Sequence, residues 1–240
     1  HALHFYHLAS PDLLFGFDAP VEKRHVLAVL AEYPEVAKQA VLLRKYGQEV
    51  IKATAGKKIH GTSSIPGGIN KNLSIEERDA LLKDADQMLE WATGGLELCK
   101  KTTKEGGQKL LEFGSFDPNE IWITRRYGCM DLYDGNLGAI DAESKVIFDD
   151  VDPADYLDYI AEEVRPWSYM KFPHIKSLGK EKGWYRVGPL SRVNCATYID
   201  TPIAEKEREE FMALGGGKPI NSTMAYHWAR MIELVHSMEK

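Results

Sequence analysis

Ser74–Cys99, SIEERDALLKDADQMLEWATGGLELC, decides the fold class. Ser74 followed three residues later by Glu77 is a capping box, in which each side chain satisfies a backbone N–H left unpaired at a helix start. Leu81, Leu82, Ala85, Met88, Leu89 and Leu96 then recur at helical spacing, so one face of this helix is buried. Gly94 and Gly95 weaken it locally. Ahead of the capping box, Gly56 to Asn72 reads as a loop with Lys57, Lys58, His60, Gly61, Pro66, Gly67 and Gly68; Pro66-Gly67-Gly68 predicts a sharp chain reversal. Before that loop, Pro34 suits the first turn of a helix carrying Val36, Ala40, Val41, Leu43, Val50 and Ile51, ended by Gly56. Val21 to Ala31 reads as a short amphipathic helix through Val26, Leu27, Val29 and Leu30, and His4 to Leu14 as the end of a buried helix interrupted near Pro11.

On the C-terminal side the pattern changes. Ile121–Thr124, Met130–Tyr133, Leu137–Ile140 and Lys145–Phe148 are short candidate strands, with Asp134-Gly135-Asn136 as a turn that tolerates positive φ. Asp155 to Val164 reads as helix, and Arg165 to Gly188, rich in aromatics, Gly and Pro, as irregular. Pro202 to Met212 and Thr223 to His236 read as two helices linked by Gly215-Gly216-Gly217. The expected fold is mainly α, a long helical bundle with small peripheral β-sheets, in one domain spanning 1–240. The first segment begins inside a patterned apolar run and the last stops while still periodic, so both termini read as truncated and the chain as a central piece of a longer subunit.

Bulk properties exclude several classes. The 240 residues carry 30 Lys+Arg against 36 Asp+Glu, a net charge of −6, with no run of basic residues, which argues against nucleic acid or an anionic membrane as partner. No apolar stretch is long enough to span a bilayer, and no signal peptide is visible. Cys99, Cys129 and Cys195 form no C-x-x-C pair and are odd in number, a pattern of free thiols that fits the cytoplasm.

Local chemistry is sparse. His1, His4 and His7 recur every three residues, but zinc needs three or four convergent ligands and there is no H-E-x-x-H or Cys/His cluster, so packed, hydrogen-bonded core roles for His4 and His7 outweigh a metal site. There is no G-x-S-x-G elbow, P-loop or G-x-G-x-x-G fingerprint. Taken one residue at a time, no catalytic site appears.

Several stretches taken together resemble the large subunit of NiFe hydrogenases, in its soluble, bidirectional, NAD-reducing branch. They are His1–Asp12 (HALHFYHLASPD), Leu43–Gln48 (LRKYGQ), Gly56–His60 (GKKIH) followed by Ile65–Gly68 (IPGG), Asp131–Gly135 (DLYDG), Trp167–Pro173 (WSYMKFP), Gly183–Leu190 (GWYRVGPL) and Tyr226–Arg230 (YHWAR). Each is weak alone; their shared order from end to end of the chain is not. The resemblance implies reversible splitting of H2 at a Ni–Fe centre held by four thiolates from two C-x-x-C motifs, donors soft enough to hold and bridge both metals. Those motifs, with the family's catalytic arginine and proton-path glutamate, fall before His1 or beyond Lys240, so no metal ligand transfers to the three cysteines and the 240 residues alone are expected to be inactive.

The resemblance further implies a small subunit with iron–sulfur clusters, and diaphorase subunits carrying flavin and NAD. His60 matches a histidine lying near a cluster of the small subunit, where an N–H donated to a cluster sulfur raises its potential; a loop-anchoring role is the alternative. Arg192 and His227 sit in matching motifs and are read as structural. Two rival functions remain open at this point: a metal-free docking subunit related to a respiratory-complex quinone module, and a hydrogenase branch that uses a deazaflavin acceptor.

Overall fold

A computed structural model describes residues 1–240. Contacts fall into two compact units within the stretch read as one domain: His1–Gly107 with Glu233–Lys240, and Gln108–Ile232.

The first unit is helical. A π-helical stretch, Leu3–Ala9, runs into α1 (Ser10–Phe15), so the expected interruption at Pro11 takes the form of a change of pitch. Pro11 sits in the first turn of α1, where its missing N–H has no intrahelical partner to lose. α2 (Val26–Glu32) is shorter than expected, and only Val29 is buried. α3 (Pro34–Ala55) starts on its proline and stops on Gly56, whose N–H donates to the Lys52 carbonyl from the left-handed region at φ +82°. The loop that follows makes a minimal hairpin, β1 (Ser64–Ile65) against β2 (Gly68–Ile69), turned by Pro66-Gly67 with Gly67 at φ +90°. α4 (Ile75–Glu112) runs through Gly94-Gly95 unbroken and kinks only at Gly107. Its capping box forms as read: Glu77 N–H donates to Ser74 Oγ (3.2 Å) and Ser74 N–H to Glu77 Oε2 (3.1 Å). Phe5, Leu43, Met88, Ala92, Leu96 and Cys99 are among the side chains that fill this unit's core.

The second unit holds the main sheet. β3 (Asn119–Arg125), β4 (Cys129–Met130), β5 (Asn136–Ile140) and β6 (Val146–Val151) pair antiparallel in the order β4-β3-β5-β6. The sequence predicts a strand over Met130–Tyr133, but pairing ends at Met130. The Asp131 carboxylate there accepts the N–H groups of Tyr133 (2.7 Å) and Asp134 (2.9 Å), closing a turn in place of a ladder. Gly135 is obligatory: at φ +130° a Cβ would lie 2.3 Å from the Thr124 carbonyl oxygen.

The helix predicted over Asp155–Val164 is also corrected. One turn forms, α5 (Tyr156–Tyr159), and the chain then extends as β7 (Ile160–Val164), paired antiparallel with β8 (Lys171–Ile175) inside the stretch read as irregular. Ile160 and Ile175, opposite each other in that ladder, pack with Ile121, Ala139, Phe148 and Val151. After α6 (Gly179–Lys182), β9 (Tyr185–Arg186) joins β3 in parallel. α7 (Pro189–Cys195), α8 (Pro202–Leu214) and α9 (Ala225–Glu239) follow, the last continuing into the first unit. The fold is mainly α with small sheets, as the sequence implies.

Candidate functional site

The Gly56–Leu73 loop is where sequence and geometry meet. It contains Lys57, Lys58, His60 and Lys71 and no carboxylate. Three ties hold its ends. Gly56 caps α3, Lys71 Nζ donates to the Ala53 carbonyl (2.7 Å) and to Glu77 Oε2 (2.5 Å), and Lys58 pairs with Glu49. Thr62 N–H donates to the Ala55 carbonyl (3.3 Å), folding the first half of the loop back on the helix end. That approach requires Gly61, where a Cβ would sit 2.6 Å from the Ala55 Cβ.

His60 precedes this contact at φ +51°, a left-handed conformation uncommon for a residue with a Cβ. Its imidazole is exposed and takes no hydrogen bond or ion pair from the rest of the chain, so both ring nitrogens are available to an outside group. Ile59, the preceding residue, is 72% exposed. A held loop presenting an imidazole among aliphatic and cationic side chains is suited to a contact with another molecule rather than to chemistry of its own.

The remaining sequence candidates are dispersed. Among His, Cys, Asp and Glu side chains, no group of three is placed to hold a metal ion. His1 Nε2 lies 3.3 Å from the buried carboxylate of Glu233. His4 is exposed, which corrects the expectation that it is packed in the core. His7 is half-buried; burial lowers its pKa, partly offset by a hydrogen bond with the Ala40 backbone.

The three thiols have separate neighbourhoods. Burial pushes Cys99 up to about 12, with the Thr103 hydroxyl pulling the other way. Cys129 accepts a hydrogen bond from Arg125 Nη2 at 3.4 Å. Cys195 is pushed up by burial and by Glu120 beside it. This donor set does not fit a Ni–Fe centre held by four thiolates. Arg192 and His227 are half-buried on α7 and α9.

One polar node escaped the sequence reading. Glu120 on β3 is 1% exposed, and burial raises its pKa against opposing hydrogen bonds from Asn194 and Ser191. Asn194 Nδ2 donates to Glu120 Oε1 (3.0 Å), and the Cys195 thiol lies 3.8 Å from Oε2. The same Asn194 amide exchanges two hydrogen bonds with the Ile220 backbone (3.1 and 3.0 Å). Nearby, Arg186 lies 4.4 Å from the Phe116 ring and 5.3 Å from that of Tyr226, and donates to the Asn221 carbonyl (3.1 Å). The node joins β3, β9, α7 and the segment before α9, residues 26 to 75 positions apart, and no local motif could have announced it.

No family model matches the chain. Known proteins do, along its whole length. It is 44% identical over 242 residues to a subunit of the vhu F420-non-reducing hydrogenase of Methanocaldococcus jannaschii, covering 57% of that protein. It is 41% identical over 245 residues to the beta subunit of the NAD-reducing hydrogenase HoxS of Cupriavidus necator, covering 50%. All of it superposes on 53% of a chain from a crystal structure of an NAD+-reducing [NiFe]-hydrogenase in the H2-reduced state, with a TM-score of 0.94 and 44% identity. The chain thus spans about half the length of the curated relatives it matches.

Proposed function

Because the chain belongs to the large-subunit family of NiFe hydrogenases, we propose that it is the central scaffold of a catalytic subunit that oxidises H2 reversibly and passes the electrons through partner subunits to NAD. The observation that carries this reading is the superposition at a TM-score of 0.94 together with 44% identity over every residue of the chain. Within these boundaries the chain supplies packing, loop placement and a docking surface. The Ni–Fe centre, when bound in the complete subunit, supplies a site for H2 cleavage, and its ligands lie outside these residues. The relatives named above are hydrogenases, which favours the enzyme over a metal-free docking subunit. They include both an F420-non-reducing and an NAD-reducing protein, so the electron acceptor is a property of the partners.

Those partners, on this reading, are a small subunit carrying iron–sulfur clusters and a diaphorase module carrying flavin and NAD. His60 donates an N–H toward the cluster nearest the large subunit; its exposure, its free ring nitrogens and the rigid ties of its loop support this role. The assembly operates in the cytoplasm, in keeping with three free cysteines and with the lack of any helix long and apolar enough to cross a membrane. The test is an anaerobic assay of the complete complex with H2, supplying NAD in one reaction and a low-potential dye in the other. Reduction of both is expected. Dye reduction without NAD reduction would overturn the NAD coupling, and no H2 consumption with either acceptor would overturn the enzymatic reading.

A further inference from the structure

In the second unit, Glu120 lines a cavity of about 420 Å³. Residues 140–144, the end of β5 and the turn after it, form part of its wall. That part is braced: the Asp141 carboxylate accepts the N–H groups of Glu143 (3.0 Å) and Lys145 (2.8 Å). Gly217, Lys218, Pro219 and Asn221, ahead of α9, form another part. This stretch hangs from two glycines in the left-handed region, Gly216 at φ +61° and Gly217 at φ +82°, where the backbone turns without strain. At its far end the Asn221 side chain donates to Asp117 (2.8 Å). Between hinge and anchor, Ile220 is held by Asn194 of α7, whose amide accepts from the Ile220 N–H (3.0 Å) and donates to the Ile220 carbonyl (3.1 Å). Asn194 Nδ2 also donates to Glu120 Oε1 (3.0 Å). One side chain thus pins the stretch and touches the buried carboxyl.

The surroundings of Glu120 decide which charge it tolerates there. On α7, Asn194, Ser191 and the Cys195 thiol favour the ionised form. Arg186 of β9 favours it too, but its N–H groups are spent on the Asn221 carbonyl (3.1 Å) and the Thr223 hydroxyl (3.5 Å). On α9, the Tyr226 hydroxyl donates to the Val187 carbonyl (2.7 Å). Asp117, Asp141 and Glu143 line the cavity with Lys218, an excess of negative charge to which a further carboxylate adds. Burial outweighs the favourable contacts and holds the Glu120 carboxyl above its usual range. We propose that residues 216–220 form a strap that stays seated on α7 while Glu120 is neutral and lifts when Glu120 ionises, letting water reach the carboxylate. With the strap lifted, the carboxyl returns to its ordinary value, about 4.3. Seating is therefore fully favoured below that value. It weakens about tenfold per pH unit above it and levels off beyond the raised value of the seated state.

The Ile220 N–H reports the strap directly, because its partner is the Asn194 side chain. Hydrogen–deuterium exchange is measured on the complete subunit in its assembled complex, at a series of pH values above the ordinary carboxyl value. Electron-transfer fragmentation reads Ile220 singly, and rates are corrected for the intrinsic pH dependence of exchange. Protection at Ile220 is expected to fall about tenfold per pH unit and then level off, while the ladder between β3 and β5 keeps its protection. Constant protection at Ile220 would overturn the proposal, and so would an equal fall in the ladder, which would mean that the whole unit opens. Glu120→Gln keeps the shape and the acceptor but cannot ionise, so Ile220 should stay protected at every pH; a fall that persists in this variant assigns the effect to another group and rejects the strap. Should that variant not fold, the comparison of Ile220 with the ladder in the parent still decides. Asn194→Ala keeps the carboxyl and removes the pin, and is expected to leave Ile220 unprotected even at the lowest pH; protection equal to the parent's there would overturn the pinning role of Asn194.

Discussion

Two side chains invite tests at the scale of the residue. His60 is held at φ +51° next to a glycine that admits no Cβ, so its position is set by the backbone and not by partners within the chain. If it donates to a cluster sulfur in the assembled complex, His60→Ala removes a hydrogen bond of about 1 kcal/mol, which corresponds to about 40 mV for a one-electron couple. A redox titration followed by electron paramagnetic resonance should then find the nearest cluster about 40 mV more negative; an unchanged potential would return His60 to a loop-anchoring role.

Glu120 has the opposite setting, sealed from water with its pKa raised by burial. A carboxyl whose folded pKa exceeds its unfolded value keeps its proton longer in the native state. Stability is therefore fully present below the unfolded value, about 4.3, and is lost as pH rises toward the folded value, by about 1.4 kcal/mol per pH unit. Urea denaturation of the complete subunit at a series of pH values above the unfolded value should show this loss, and Glu120→Gln should flatten it. Equal pH slopes in the two proteins would mean that Glu120 ionises freely where it lies.

Among the elements, the α4 capping box and the loop before it were legible in the sequence because their causes are local. Ser74 and Glu77 are three residues apart, and Pro66-Gly67 turns the chain by its own φ preferences. Ser74→Ala should cost about 1 kcal/mol, visible as faster hydrogen exchange in the first turn of α4; protection equal to that of the parent would show the box to be dispensable there. Gly61→Ala should cost about 1–3 kcal/mol, because the loop must move off the Ala55 Cβ.

Elements whose causes are distant are not legible in the same way. Tyr156–Val164 has apolar residues at helical spacing, but Ile160 is claimed by a ladder with Ile175 and by the sheet core, so the strand wins after one turn. Leu27 and Leu30 share the apolar face of a predicted helix and are more than half exposed, since spacing records periodicity and not what lies opposite. The Glu120 node is illegible for the same reason, with Asn194 and Cys195 74 and 75 residues away.

For the whole molecule, the 240 residues belong to a family whose named members are about twice as long. The same residues leave Leu8, Val21, Leu27 and Val41 more than half exposed in the first unit. Expressed alone, the 240-residue polypeptide should therefore self-associate in sedimentation experiments; a clean, cooperatively melting monomer would contradict that. The resemblance in the sequence carried the fold class and the family. The buried node required the coordinates, because its members lie 26 to 75 residues apart.

The most direct measurement is nickel content against H2 uptake in the anaerobically purified, fully assembled complex. Activity should scale with nickel up to about one ion per large subunit, the loading of a single thiolate-held bimetallic centre. Full H2 uptake in a preparation free of nickel would contradict the assignment.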